Sequence, residues 1–259
     1  MPDFLDVLAR DAKDTIDSGY YEVPAQTRAP CVSLRDAIVK CTNAPVITEI
    51  KAASPSAGII KETFEAQRIA RAMEKGGAVG ISVLTEPKHF KGSLESLVET
   101  RRAVKLPVLM KDIIVIPEQL EVASKAGANA ALLIQAFFDR GYCECNREEM
   151  IAKAHSEDLE VLLETHTKKE FCSAIDSEAD LIGINNRNLG NLKVDLDVTK
   201  QILENNLANG KIVVSESGIK TPADIRFLHE CGAKAFLIGS AIMLSDDVEG
   251  KVRELVKSI

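Results

Sequence analysis

Five short apolar segments of this 259-residue chain each end in a side chain that can move a proton or hold a hydroxyl. They are Val46-Ile47-Thr48-Glu49-Ile50-Lys51, Pro107-Val108-Leu109-Met110-Lys111, Val161-Leu162-Leu163-Glu164, Leu181-Ile182-Gly183-Ile184-Asn185 and Ile212-Val213-Val214-Ser215-Glu216. Apolar runs of this length, bounded by Gly, Pro or polar clusters, read as strands buried on both faces. Polar groups recurring at one end of such strands bring those ends around a common pocket. A parallel barrel with its active site at the carboxyl face has that layout.

A weak internal repeat points the same way. Met73–Leu84, Ala123–Ile134 and Leu228–Gly239 share one form: the last turn of a helix, a Gly-Ala stop, a spacer and a buried strand. Glu178–Gly183 is a looser copy. Glycine suits the left-handed position after a helix, so the stop looks alike each time. The predicted strands number eight: Val46–Ile50, Val79–Leu84, Pro107–Lys111, Ala130–Ile134, Glu160–Glu164, Leu181–Asn185, Lys211–Ser215 and Ala235–Gly239. Helical patterns such as Phe64–Lys75, Leu94–Val104, Pro117–Lys125, Lys168–Ile175 and Pro222–Glu230 alternate with them, the last behind a Thr221 suited to cap it. Alternation implies parallel strands with right-handed crossovers. A doubly wound open sheet shares that alternation, but eight units with polar ends favour a closed (β/α)8 TIM barrel. Residues 1–44 form an N-terminal extension, with Phe4–Ile16 an amphipathic helix that either caps one barrel end or covers the pocket. No linker interrupts the rest, so residues 1–259 read as one domain.

Composition narrows the function classes. A formal net charge of −7 argues against a nucleic-acid binder, which needs clustered Lys and Arg. Met1–Asp6 lacks the basic stretch and apolar core of a signal peptide, and no segment is long enough to cross a bilayer. A cytoplasmic protein, monomeric or weakly homo-oligomeric, is expected. Six scattered cysteines argue for free thiols. Cys143-Glu144-Cys145 lacks the second Cys or His pair of a zinc site, so no metal is expected. Of the histidines, His89 falls in a rim loop, and His155 and His229 fall in polar helices.

Two loops bear on phosphate. Ser215-Glu216-Ser217-Gly218-Ile219 follows the seventh strand and Leu237-Ile238-Gly239-Ser240-Ala241 the eighth, the usual phosphate cradle of barrel enzymes. The plainer alternative is that Gly218 and Gly239 only shape tight turns. Lys51, Lys111, Glu49, Glu164 and Glu216 alternate in sign around the same mouth. An ion-pair network would explain them too, although such pairs are weak stability devices. Proton chemistry explains the convergence better.

Glu49-Ile50-Lys51-Ala52-Ala53-Ser54-Pro55-Ser56 resembles the signature segment of the indole-3-glycerol-phosphate synthases. The resemblance continues through Ser82–Ser93, Pro107–Asp112, Leu132–Ile134, Leu163-Glu164, Gly183–Leu189, Ser215–Ile219 and Leu237–Ser240, in order and over nearly the whole chain. It implies an enzyme that closes an indole ring on a carboxyphenylamino-deoxyribulose phosphate, releasing carbon dioxide and water, without metal or organic cofactor. It further implies Lys111 as the general acid of ring closure, and Glu164 and Lys51 as acid and base of the later dehydration. Glu49 and Glu216 would orient lysines and substrate hydroxyls, while Asn185 and Arg187 would hold sugar hydroxyls and carboxylate. Ser54, Ser56, Ser217, Gly218, Gly239 and Ser240 would line the anion site, and Phe90, Leu132 and Leu189 the apolar wall.

Ala52 stands where the family usually has an arginine or other basic residue, with a basic residue often near Ala57; Ile113 stands where an aromatic commonly follows the Lys-Asp pair, and Asn188 where aspartate is common. The stretch Gln135–Arg147 differs from the family norm and has no assigned role. Phosphoribosylanthranilate and histidine-pathway isomerases are rival barrels, but they use Cys–Asp or Asp–Asp pairs that no strand end here offers. A barrel that binds without turnover is the rival of another class.

Overall fold

A computed structural model describes residues 3–22, 32–54, 58–60, 64–188, 190, 192–204 and 208–259. Among them, eight parallel strands close into a barrel: β1 (Val46–Ile50), β2 (Gly80–Leu84), β3 (Val108–Lys111), β4 (Ala130–Ile134), β5 (Glu160–Thr165), β6 (Leu181–Asn185), β7 (Ile212–Glu216) and β8 (Ala235–Ile238). Each strand pairs with the next and β8 returns to β1, which decides against the open sheet. Sequence expectation and structure differ by a residue at some ends: β2 starts at Gly80, and β7 runs one residue beyond Ser215. A two-residue antiparallel pair, Ala53–Ser54 with Gly58–Ile59, was not anticipated. Nor were the helices Leu34–Lys40, Gln135–Asp139, Asp197–Leu203, Ser240–Met243 and Val248–Val256, whereas His155 lies as expected in a helix, Arg147–Ser156. Gly77, Gly127 and Gly232 close the three repeated units with φ of 99°, 90° and 111°, a left-handed turn that a β-carbon disfavours.

The strand pleat sorts side chains with a period of two. Val46 and Ile50 face the helical layer, whereas Ile47 joins Leu109, Leu132, Leu162, Leu181, Val214 and Leu237 inside the barrel. Two residues further on, the inward positions become Glu49, Lys111, Ile134, Glu164, Gly183, Glu216 and Gly239. Register sets Ile134 beside Glu164 and Glu164 beside Gly183, and it brings Asn185 beside Glu216 and Leu84 beside Lys111. An apolar barrel floor and a polar mouth therefore follow from one alternation.

The extension covers both barrel ends. Helix Phe4–Asp17 crosses the carboxyl end and buries Leu5, Leu8 and Ala12 in the barrel's inner cluster. Asp11 Oδ2 lies 2.8 Å from His89 Nε2, and Lys88 Nζ lies 3.1 Å from Asp14 Oδ2. Arg140 reaches Asp3 at 2.7 Å. Helix Leu34–Lys40 closes the amino end, where Leu34 and Arg35 N–H groups donate to Glu160 Oε2 at 2.7 and 3.0 Å.

Candidate active site

A cavity of about 770 Å³ opens at the carboxyl end of the barrel. At its centre Lys111 Nζ lies 2.7 Å from Glu216 Oε2 and 3.1 Å from Glu164 Oε2. Lys51, one residue past β1, holds Glu49 Oε1 at 2.6 Å. Asn185 bonds the Glu164 carboxylate, and its Oδ1 accepts the Arg187 N–H at 3.0 Å. Each of the strand-end acids, amides and lysines singled out from sequence therefore lines one cavity.

Glycines make room for them. A β-carbon at Gly183 would overlap Glu216 Oε1. One at Gly239 would overlap Glu49 Oε1 and lie 2.8 Å from Lys51 Nζ. Gly239 thus holds space for the Glu49–Lys51 pair, a purpose that neither the phosphate nor the turn reading of that residue had included.

The charges hold one another in set protonation states. Burial works against the Lys111 cation, but Glu216, Glu164 and Glu49 outweigh it and raise its pKa. Burial alone would lift Glu164, yet Lys111, His166 and Asn185 hold it well below the usual carboxylate range. Glu216 is pushed up by burial, with the neighbouring Glu164 and Glu49 charges adding to it against the pull of Lys111. Two carboxylates sharing one lysine have been driven apart, one firmly ionised and one readily protonated.

The walls divide by polarity. Phe90, Leu132, Ile113, Ile134, Phe4 and Leu8 supply apolar surface, while Ser217, Gly218, Lys220, Gly239, Ser240 and Lys251 line the cavity from the seventh and eighth strand loops and the last helix. Ile113 keeps its place in the wall despite lacking an aromatic ring. Ser217 and Gly218 both have left-handed backbone, φ 67° and 84°. Ser54 lies in the short antiparallel pair, its side chain outside the described residues, where Ser56, Ala57 and Leu189 also fall. Ala52 is buried.

Several residues went unnoticed in the sequence. Phe4 and Leu8 belong to a helix whose amphipathic pattern showed an apolar face but not its target. Glu86 accepts the N–H groups of His89 and Phe90 at 2.7 and 3.0 Å and so shapes the loop carrying Phe90. Asp112, next to Lys111, is buried and accepts bonds from Thr85, Tyr21 and the Ile113 N–H. Burial pushes its carboxyl up to about 6. Its signal was the unused acid of the Lys111-Asp112 pair. Gln135–Arg147, left without a role, folds into helix Gln135–Asp139 and then meets the N-terminal helix through Arg140 and Tyr142, both on Asp6. Among the described residues no cluster of His, Cys, Asp and Glu suits a metal ion.

Comparison with known proteins agrees with this geometry. The family model described as indole-3-glycerol phosphate synthase matches residues 7–255. The chain is 44% identical to the indole-3-glycerol phosphate synthase of Methanocaldococcus jannaschii, over 82% of this chain and 77% of that one. It is 42% identical to that of Caldanaerobacter subterraneus, over 83% and 80%, and 41% identical to that of Neisseria meningitidis, over 94% and 92%. Among solved structures, the thiamine phosphate pyrophosphorylase of Pyrococcus furiosus superposes with a TM-score of 0.59 at 19% identity, covering 87% of this chain and 97% of that one. The N-acetylmannosamine-6-phosphate 2-epimerase of Clostridium perfringens gives 0.60 at 15% identity, covering 83% and 93%. These two share the fold alone.

Proposed function

The chain belongs to the indole-3-glycerol phosphate synthase family, and from that premise we propose how its cavity divides the reaction among its residues. The enzyme is a carboxy-lyase of tryptophan biosynthesis. It closes an indole ring on 1-(2-carboxyphenylamino)-1-deoxyribulose 5-phosphate with loss of carbon dioxide and water. In ring closure an aryl carbon attacks the ketone, and the ketone oxygen gains a proton. Lys111 faces that oxygen. Its raised pKa puts more weight on stabilising the developing alkoxide than on complete proton transfer. Carbon dioxide then leaves and rearomatises the benzene ring.

Dehydration needs one group to take a proton and another to give one to the departing hydroxyl. Glu164, firmly ionised, takes the proton, and Lys51 gives one, oriented by Glu49. Glu216 and Asn185 hold sugar hydroxyls. Arg187 holds the substrate carboxylate, a task suited to a guanidinium. Ser54, Ser56, Ser217, Gly218, Gly239 and Ser240 hold the phosphate, and Phe90, Leu132 and Leu189 flank the anthranilate ring. The observation that carries this reading is Lys111 clasped between two carboxylates at the centre of a cavity with one apolar and one polar wall. The same reading has the chain fold as one domain and work in the cytoplasm as a monomer or weak homo-oligomer. Inner-cluster contacts of Leu5 and Leu8 with the barrel support the single domain.

Single-turnover measurement of carbon dioxide and indole release, with chelator present, tests the division. In Glu164→Gln carbon dioxide should appear at near-normal rate while indole fluorescence lags at least tenfold. Equal delay of both would move Glu164 ahead of decarboxylation. The absence of Trp from the chain keeps the indole signal clear of protein background.

A further inference from the structure

Among the described residues, His166 stands behind Glu164 outside the cavity lining, and it pairs with that carboxylate's second oxygen. Its Nε2 lies 3.1 Å from Glu164 Oε1, and its Nδ1 lies 3.5 Å from Glu170 Oε2. Both are ion-pair contacts bent away from ideal hydrogen-bond geometry. The His166 side chain is only 10% exposed and the two carboxylates are 4% and 13% exposed. Glu170 is itself fixed at the start of helix Lys168–Ala174: it accepts the His166 backbone N–H at 2.8 Å and the Thr167 hydroxyl at 3.0 Å. A line of alternating charge thus runs outward from the cavity, Lys111 to Glu164 to His166 to Glu170.

We infer that His166 is a positioning residue for the reaction: its imidazolium pairs Glu164 Oε1 and leaves Oε2, the oxygen beside Lys111, to meet the substrate. The geometry gives it two tasks. It fixes the carboxylate's rotation, because a carboxylate gripped at one oxygen presents the other in a set direction. It also supplies a countercharge where burial would otherwise favour the neutral acid, which cannot act as a base. Burial opposes the His166 cation, but Glu164 and Glu170 outweigh it and lift its pKa to about 9, so the cation persists at neutral pH. The charged and polar groups facing this pair are Glu170 from the following helix, Lys111 from β3, Glu216 from β7, and Asn185 and Arg187 from the end of β6.

This inference rests on Glu164 being the base of dehydration, so the experiment separates the two. The kcat–pH profile and KM are measured for wild type, Glu164→Gln, His166→Gln and the double variant. With the inference correct, His166→Gln lowers kcat roughly ten- to a hundredfold, short of the 10²–10⁴ that a general base itself supplies. KM stays within about twofold, because the uniform binding groups are untouched. The acid limb of kcat moves up by about one unit or more, since Glu164 loses a cationic neighbour. In the Glu164→Gln background the same change should have almost no further effect, because the two act as one unit. A normal kcat and unmoved acid limb in His166→Gln, beside a collapsed Glu164→Gln, would overturn the inference alone. An equal loss in both backgrounds would overturn it too, by showing a purely structural role. Near-normal turnover of Glu164→Gln would instead sink the base assignment. Should His166→Gln fail to fold, Glu170→Gln replaces it: a smaller shift of the acid limb in the same direction supports the inference, and no shift overturns it.

Discussion

Gly183 and Glu216 compete for one space on neighbouring strands: a β-carbon on the glycine would clash with the carboxylate oxygen Oε1. Glu216 uses its other oxygen for Lys111. A single methyl group three strands from the lysine therefore decides where one of its partners sits. Gly183→Ala should push Glu216 off Lys111, lower kcat at least tenfold and destabilise the fold by about 1–3 kcal/mol through overpacking. Thermal unfolding and steady-state kinetics on the same preparation check both. Wild-type kinetics would show that the carboxylate shifts without consequence.

Phe4 brings the N-terminal helix into the cavity wall and meets the His89 ring edge-on at 5.6 Å. Phe4→Ala removes apolar surface from the cavity wall, which in the proposed reading would contact substrate and transition state alike. KM should rise about three- to tenfold with kcat within twofold, the pattern of lost uniform binding, on the order of 1 kcal/mol for an aromatic contact. A fall in kcat with constant KM would place Phe4 in the chemistry.

Arg140 ties the Gln135–Arg147 segment to Asp3 and Asp6 at the start of the same helix. Exposed ion pairs contribute little to global stability, so Arg140→Ala should change it by less than about 1 kcal/mol. Local opening is another matter. Hydrogen exchange over Phe4–Asp17 should accelerate in the variant, and 1 M salt should accelerate wild type toward the same rate. Unchanged exchange would mean that the apolar contacts of Leu5 and Leu8 alone hold the helix down.

Asp112 gives a pH dependence of known sign. Its folded pKa, pushed up to about 6 chiefly by burial, exceeds the ordinary 3.8, so the folded state binds the proton more tightly. Its contribution to stability is full below about pH 4 and is lost as pH rises through 6. Relative to Asp112→Asn, wild type should gain stability between pH 6.5 and 4, by at most on the order of 3 kcal/mol. Denaturant melts of both proteins across that range measure it, and a difference independent of pH would contradict the shift.

How far the sequence foretold this molecule varies with the distance of the interaction. Strand ends were legible because burial on both faces leaves an apolar run, and a charge closing such a run stands out. Glu49, Lys111, Glu164 and Glu216 were found this way. Their common height in the barrel comes from register, which no single segment encodes. Gln135–Arg147 had no readable role because its partners, Asp3 and Asp6, lie more than 130 residues away. Phe4 and Leu8 were hidden for the same reason. His166 was closer to view: it follows Glu164 by two residues, with Glu170 one helical turn on, a spacing that marks a charged cluster at a strand end.

Lys111 is the proposed acid of the ring-closing step, so the most direct measurement is the single-turnover rate of indole formation by Lys111→Ala, alongside equilibrium binding of the carboxyphenylamino-deoxyribulose phosphate to the same variant. Turnover should fall by 10³ or more, the scale of a lost acid combined with lost electrostatic stabilisation, while the dissociation constant stays within about tenfold. Neither carbon dioxide nor indole should form, because closure precedes both. Near-normal indole formation by Lys111→Ala would contradict the assignment and require another cation in the cavity to meet the ketone.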